Sequence, residues 1–412
     1  MTDYVSPVVR RGAAVCVSHE DDRLQLPIAR LDDADDPVEI AADAVASTDA
    51  DLEPVRTGTA VPEGEDSYVP VLFDAPTDLD APADTEWLAP TALLHDSEEP
   101  TWWRCYERVA PTVRSITADD EHGAAVLSLR ALEVLRDRAA LQIAEDDPDR
   151  GELIDLAERL LSARPSMAVL ENRVNRALAA AVDDVNETAD GDDETAAAGI
   201  AAAVEAAADT GIDRALQADA DAAAAAAGML DGATVLTLSR SGTVLDALGS
   251  ASLDGVDVAE PRPAREGIGV AEELSASIDA PVTVHADAAV AHVLAHEGVD
   301  AVVVGADSVL PDGRVVNKTG TRTAALSAAR EGIPVYAVAA SDKITHRETV
   351  NIETGDARAI YDGSADLDVL NPTFDVTPAD LVDAVVTERG RLDADEVGAV
   401  AEDHAAVTNW RE

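Results

Sequence analysis

Lysine is almost absent from this chain. Of 30 basic residues in 412 positions, only Lys318 and Lys343 are lysines, and the other 28 are arginines. No Lys/Arg-rich run occurs, which excludes nucleic-acid binding through a basic surface. Aromatics make up only 3% of the chain, and no apolar stretch approaches the roughly 18 to 20 residues that span a bilayer. The opening MTDYVSPVVRRG lacks the apolar core of a secretion signal. Cysteine is equally scarce: Cys16 and Cys105 make neither a disulfide framework nor a metal cluster. His292 and His296 are four apart, but HVLAHE is not the HExxH arrangement and has no third ligand at sensible spacing. Gly267-Ile268-Gly269 lacks the third glycine of a dinucleotide fingerprint. These absences leave a soluble, cytoplasmic protein with no metal and no other cofactor.

What is present is acid. The chain has 82 Asp and Glu residues and a formal charge of -52, spread along its length rather than gathered in a tail. A hydrophobic fraction of 47%, much of it Ala, still allows a real core, and the length suggests two or three domains. A uniformly acidic, Lys-poor surface suits a cytoplasm at molar salt, where screening over about 3 Å mutes carboxylate repulsion. If lysine has been removed from ordinary surface positions, the two that remain stand where an ammonium group is needed.

Three regions separate along the chain. Residues 1–110 carry strand-like runs (8–17 and 68–73) between Asp/Pro/Gly-rich turns. Residues 112–228 read as helices: 122–140, 153–161 and 167–178 have apolar residues at helical spacing, and the Ala-rich 179–228 is helical with a polar break near Gly191. From residue 229 to 412 short β-branched runs alternate with helical ones. Strands are expected at 234–238, 256–258, 282–284, 301–304 and 335–338, with helices near 243–249, 269–277, 287–297 and 320–331. That rhythm implies an α/β fold with a parallel, doubly wound sheet. Ligands in such sheets bind beyond the carboxyl ends of the strands.

Those ends carry chemistry. The first runs into Ser239-Arg240-Ser241-Gly242, a turn that opens a helix and offers a phosphate seat, although Ser241 also suits a plain N-cap. The second is followed by Glu260-Pro261-Arg262, where Arg262 offers a fork for phosphate or carboxylate, or pairs with a local Glu. The fourth leads into Gly305-Ala306-Asp307, then Asn317 and Lys318; the fifth ends at Ser341-Asp342-Lys343. A carboxylate at a buried strand end needs a partner or a chemical task, which marks Asp307. Both lysines fall on this edge.

TLSRSG at 237–242, EPRPAREG at 260–267, VVVGADSVLPDGRVVNKTGT at 302–321, NPTFDVTPADLVDAVVTERG at 371–390 and the segment around Arg164-Pro165-Ser166 together resemble the initiation factor 2B alpha/beta/delta family. That family includes ribose-1,5-bisphosphate isomerase and methylthioribose-1-phosphate isomerase. The resemblance spans about 300 residues. It implies a helical domain followed by a Rossmann-like domain, assembly as dimers or hexamers, and a link to translation initiation factor 2. Carried over, Asp307 is the proton-transfer Asp of the isomerase members, and Arg164, Ser166, Asn317 and Lys318 line the phosphate-binding set. Two positions depart from the isomerase pattern. Ser239 stands where the catalytic Cys is expected, and His122-Gly123-Ala124 where an Arg-Gly-Ala segment is expected. A thiol is readily tuned toward neutrality, whereas a serine hydroxyl needs a dedicated base, and the sequence displays none.

The front segment resembles a Nudix hydrolase domain in strand and turn order, with 41–64 standing for the Nudix helix and following strand. Asp43 is the only acid between Ala41 and Thr48, so the magnesium-holding Glu cluster is missing and a degenerate, structural or partner-binding remnant is expected. The function expected is a non-catalytic, initiation-factor-2B-like protein that binds a nucleotide or sugar phosphate; the alternative is an aldose–ketose phosphate isomerase.

Overall fold

In a computed structural model, residues 2–20, 23–32, 35–45, 52–76, 79–95, 101–119, 122–188, 193–350 and 352–410 are described. They divide into two units. Unit one holds Met1–Asp120, Leu129–Ala163 and Ala180–Ile212; unit two holds Glu121–Ser128, Arg164–Ala179 and Asp213–Glu412.

Unit one begins with strands β1 (Thr2–Arg11), β2 (Ala14–Glu20), β3 (Arg23–Gln25) and β4 (Ala29–Leu31), then helix α1 (Pro37–Val45). There follow β5 (Pro54–Thr57), β6 (Val61–Glu63), β7 (Asp66–Asp74), β8 (Thr85–Leu88), α2 (Ala92–His95), α3 (Thr101–Glu107) and α4 (Val113–Ala118). The run expected as one strand over 8–17 is a hairpin, because Gly12 takes a φ of +61° and turns the chain between Arg11 and Ala14. β1 lies parallel to β7 in register from Thr2↔Asp66 to Arg10↔Asp74, so the Arg10 guanidinium meets the Asp74 carboxylate through two bonds of 2.6 and 2.8 Å. The strand period of two splits the apolar residues. Val5, Val9, Val71 and Phe73 pack on the α1 side, and Val8 and Leu72 pack with Trp103 and Tyr106 on the other.

Four helices come next: α5 (Ala124–Ala144), α6 (Arg150–Ala163), α7 (Ala168–Thr188) and α8 (Asp193–Ala227). The expected polar break near Gly191 lies outside the described residues.

Unit two is built on β9 (Thr234–Leu238), α9 (Gly242–Ser250), β10 (Gly255–Glu260), α10 (Glu266–Ser277), β11 (Val282–Ala286), α11 (Val290–His296) and β12 (Ala301–Val304). Then come β13 (Ser308–Val309), β14 (Val315–Lys318), α12 (Thr321–Glu331), β15 (Val335–Val338), β16 (Phe374–Thr377), β17 (Ala384–Thr387), β18 (Gly390–Leu392) and α13 (Ala394–Ala406). The main sheet runs β11-β10-β9-β12-β15-β17-β18, parallel except for β18. Alternate strand residues face opposite layers. Val235, Val256 and Val303 pack with α9 and α10, whereas Leu236, Val302 and Val304 pack with α11 and α12. A small antiparallel sheet, β13-β14-β16, sits beyond the end of β12 and was not foreseen. Among the described residues no helix is long and apolar enough to cross a membrane, and no group of three or more His, Cys, Asp or Glu could hold a metal ion.

Candidate functional site

The chain leaves β9 for β10 on one side, and β12 joins β9 on the other, so the strand order reverses between β9 and β12. A crevice opens at such a reversal. On its β9 side stands Ser239, buried and held at φ +67°, a left-handed conformation that residues with a Cβ seldom adopt. Ser241 caps α9, its Oγ accepting from the Val244 backbone N at 3.4 Å, and Gly242 opens the helix on the exposed side. Gly305 follows β12. A Cβ there would lie 2.7 Å from Ser241 Oγ, so a glycine is what lets the two loops meet.

The first turn of α10 brings Glu266 into this crevice. Ser239 Oγ donates to Glu266 Oε2, and Lys318 Nζ donates to Glu266 Oε1 at 2.8 Å. Burial pushes the Glu266 carboxyl up, but the bonds from Lys318 and Ser239 outweigh it and leave the group below its ordinary range. Gly267 permits this placement: a Cβ on it would stand 2.8 Å from the Ala259 carbonyl and 2.9 Å from Glu260 Cα. Sequence reasoning found no partner for Ser239. The structure supplies a carboxylate, though one kept ionised and therefore a weak base.

Asp307 lies just beyond β12, partly buried, its backbone N bonded to Val316 O at 2.9 Å. Among the described residues no side chain or backbone group donates to its carboxylate. Burial raises its pKa; Lys343 and Lys318 pull it back, and Glu266 and Glu353 push it further up. Both lysines therefore bear on one carboxyl group. Lys343 Nζ donates to the Ala306 carbonyl at 2.6 Å. The turn that carries Lys343 is anchored from α7: Asn172 Nδ2 donates to the carbonyls of Asp342 and Ile344, both at 2.8 Å, while Arg173 and Arg176 hold the Asp342 carboxylate at 2.9 and 2.7 Å.

The remaining residues divide. Glu260 is buried at the end of β10; its Oε2 accepts from Ile268 N at 3.0 Å, and its Oε1 has no hydrogen-bond partner among the described residues. Arg262 is exposed, with Nε 3.6 Å from that Oε1. Asn317 is buried, and its amide donates to Thr321 Oγ1 at 3.0 Å. Ser166 Oγ donates to Glu353 Oε1 at 2.5 Å, and the partly buried Arg164 lies two residues earlier. Asp375 occupies the helix start that follows Lys318, accepting from the backbone N of Gly320 at 2.8 Å and of Arg322 at 3.1 Å. Thus Ser239, Asp307, Lys318 and Lys343 are brought together, Arg262 points to the rim, and Glu266, Glu353 and Asp375 are additions. No spacing signal could single them out among 82 acids.

A doubly wound sheet with titrating groups at its order reversal defines a class. Comparison with known proteins narrows it. The profile of the Initiation factor 2 subunit family matches residues 120–394, and the chain belongs to that family. It is 33% identical over 309 residues to a ribose 1,5-bisphosphate isomerase of Haloferax volcanii, covering 71% of this chain and 91% of that protein. It is 36% identical over 174 residues to a methylthioribose-1-phosphate isomerase of Pseudomonas syringae pv. tomato, but this alignment spans only 49% of that relative's length. Among solved structures, the translation initiation factor eIF-2B of Pyrococcus horikoshii OT3 matches with a TM-score of 0.54 at 25% identity, over 69% of this chain and 97% of that one.

Proposed function

We propose that the chain binds a phosphorylated small molecule, a sugar phosphate or nucleotide, at the β9–β12 crevice and acts through subunit or partner contacts rather than by turnover. The observation that carries this reading is the Ser239–Glu266 bond. The hydroxyl at the position of the expected thiol is committed to a carboxylate held below its ordinary range, and such a carboxylate is far too weak a base to ionise an aliphatic alcohol. Lys318, Lys343 and the buried Asn317 supply the binding groups; Arg164, Ser166, Ser241, Gly242, Glu260 and Arg262 complete the set. The three-part division at 1–110, 112–228 and 229–412, a degenerate Nudix-like front segment, a homo-oligomer of two or six copies and contact with translation initiation factor 2 belong to the same proposal, as do a cytoplasmic location and a molar-salt setting.

A second reading, aldose–ketose isomerisation, is favoured by one feature: Asp307 has a raised pKa and a carboxylate to which no described residue donates. One experiment separates the two. The purified protein in molar salt is incubated with ribose 1,5-bisphosphate and with methylthioribose 1-phosphate, and ketose formation is followed. The binding reading expects none; turnover near ~1 s⁻¹ or above replaces it with the isomerase reading. Thermal shifts with ribose 5-phosphate and AMP are expected in the parent protein and expected to shrink in Lys343→Ala.

A further inference from the structure

We propose that Glu266 makes the crevice a one-phosphate site: it closes the position at Lys318 to a phosphate group and leaves Lys343 as the ammonium that receives one. The inference rests on the binding reading above and deepens it. The two lysines are not equivalent. Lys318 Nζ is 2.8 Å from Glu266 Oε1, and the other oxygen of that carboxylate is fixed by Ser239 Oγ, so the pair is held from two sides. Among the described residues, Lys343 Nζ bonds only a neutral carbonyl, that of Ala306, and no carboxylate lies within ion-pair distance of it. An incoming phosphate meets at Lys343 an ammonium that bears on Asp307 but, among the described residues, has no carboxylate bonded to it, and at Lys318 a carboxylate already seated.

The charges around the crevice point the same way. Asp307 feels Lys343 and Lys318 on one side of the balance and Glu266 and Glu353 on the other, and the buried Glu260 adds a carboxylate oxygen with no hydrogen-bond donor among the described residues. Two ammonium groups against that many carboxylates suit a ligand with one phosphate and several hydroxyls. The hydroxyls donate to the carboxylates while the phosphate accepts from Lys343. A second phosphate brings roughly two more negative charges against Glu266, and like charges at such range cost affinity.

The test is calorimetric titration of ribose 5-phosphate and ribose 1,5-bisphosphate into the parent protein and three variants. The parent is expected to bind the monophosphate more tightly. Glu266→Gln keeps the bond to Ser239 but removes the charge, and is expected to improve bisphosphate affinity about ten-fold or more relative to the monophosphate. Glu266→Asp, which keeps the charge, is expected to retain the parent preference. Glu273→Gln, on the same helix but paired with Arg240 at 2.8 Å, is expected to change nothing. If Glu266→Gln improves both ligands equally or neither, or if Glu266→Asp behaves like Glu266→Gln, the proposal is wrong. Loss of both ligands in Glu266→Gln makes Glu266 a ligand-holding group and also refutes it. Failure of the parent and every variant to bind either sugar removes the binding reading itself and this proposal with it.

Discussion

Arg173 and Asp342 form a 2.9 Å ion pair in which both side chains are almost shut off from water, at 1% and 2% exposure. Asp342 also takes Arg176 at 2.7 Å, and Arg173 reaches Asp219 at 3.2 Å and Ser128 Oγ at 2.9 Å. Buried charges are tolerable only when every partner is present. Here the partners come from α5, α7, α8 and the turn after β15, so the pair fixes the backbone one residue before Lys343.

Asp342→Asn is therefore expected to cost about 3–5 kcal/mol, because it leaves Arg173 and Arg176 facing an uncharged amide. Burial alone would raise the Asp342 carboxyl, but the two guanidiniums hold it far below the carboxylate range. A folded-state pKa lower than the unfolded one gives stability that is complete above the unfolded value, near 3.8, and lost as pH falls through the folded value. Guanidinium denaturation from pH 7 to pH 2 should show an acid limb in the parent that is shallower in Asp342→Asn. Parallel limbs would falsify the assignment.

Asp307 carries the opposite sign. Its folded-state pKa is raised by burial, so ionisation at neutral pH opposes folding, and the opposition disappears once the pH falls below the unfolded value. Asp307→Asn should stabilise the protein by ~0.5–2 kcal/mol at pH 7, as groups kept for function rather than stability commonly do. The gain should vanish below about pH 4. A melting temperature at pH 7 that drops in Asp307→Asn would mean that the lysines, not burial, dominate the group.

How much of this was legible beforehand depended on range. Thr234–Leu238, Ala301–Val304 and Val335–Val338 read as strands because each is a short apolar run buried on both faces, bounded by turn residues. β13 has two residues and β14 ends in Asn317-Lys318, so neither leaves a periodic trace. The hairpin at Gly12 was hidden because apolar residues continue on both sides of the turn. The two lysines stood out through rarity alone, and the structure sets both against Asp307. Glu266 could not stand out. It is one acid among 82, and its partners Ser239 and Lys318 lie 27 and 52 residues away in sequence, a relation only the folded sheet creates.

The meeting of the two loops at the crevice has its own test. Gly305→Ala places a methyl 2.7 Å from Ser241 Oγ and 2.8 Å from Ser241 Cβ, well inside contact distance. Overpacking of this kind costs about 1–3 kcal/mol, and here it also displaces the cap of α9. Both stability and the ribose 5-phosphate thermal shift are expected to fall. Gly249→Ala, where a Cβ meets nothing within 4 Å, is the control and should leave the thermal shift intact.

Unit one offers a test independent of any ligand. The Tyr106 hydroxyl donates to Asp137 Oδ2 at 2.7 Å, and the other oxygen of that carboxylate takes Arg136 Nε at 2.9 Å. Tyr106 and Arg136 are each 1% exposed, so water cannot replace the lost donor in Tyr106→Phe. Burial already pushes the Asp137 carboxyl up despite Arg136 and Tyr106, and removing the hydroxyl deprives its ionised form of one of two fixed donors. A loss of roughly 1.5–3 kcal/mol is expected in Tyr106→Phe at pH 7, the range for a hydrogen bond to a charged group. Double substitution with Asp137→Asn should cost less than the sum of the two single changes, since the Tyr106 hydroxyl and the Asp137 charge act through one bond. Additive losses would mean that the hydroxyl stabilises the fold by packing alone.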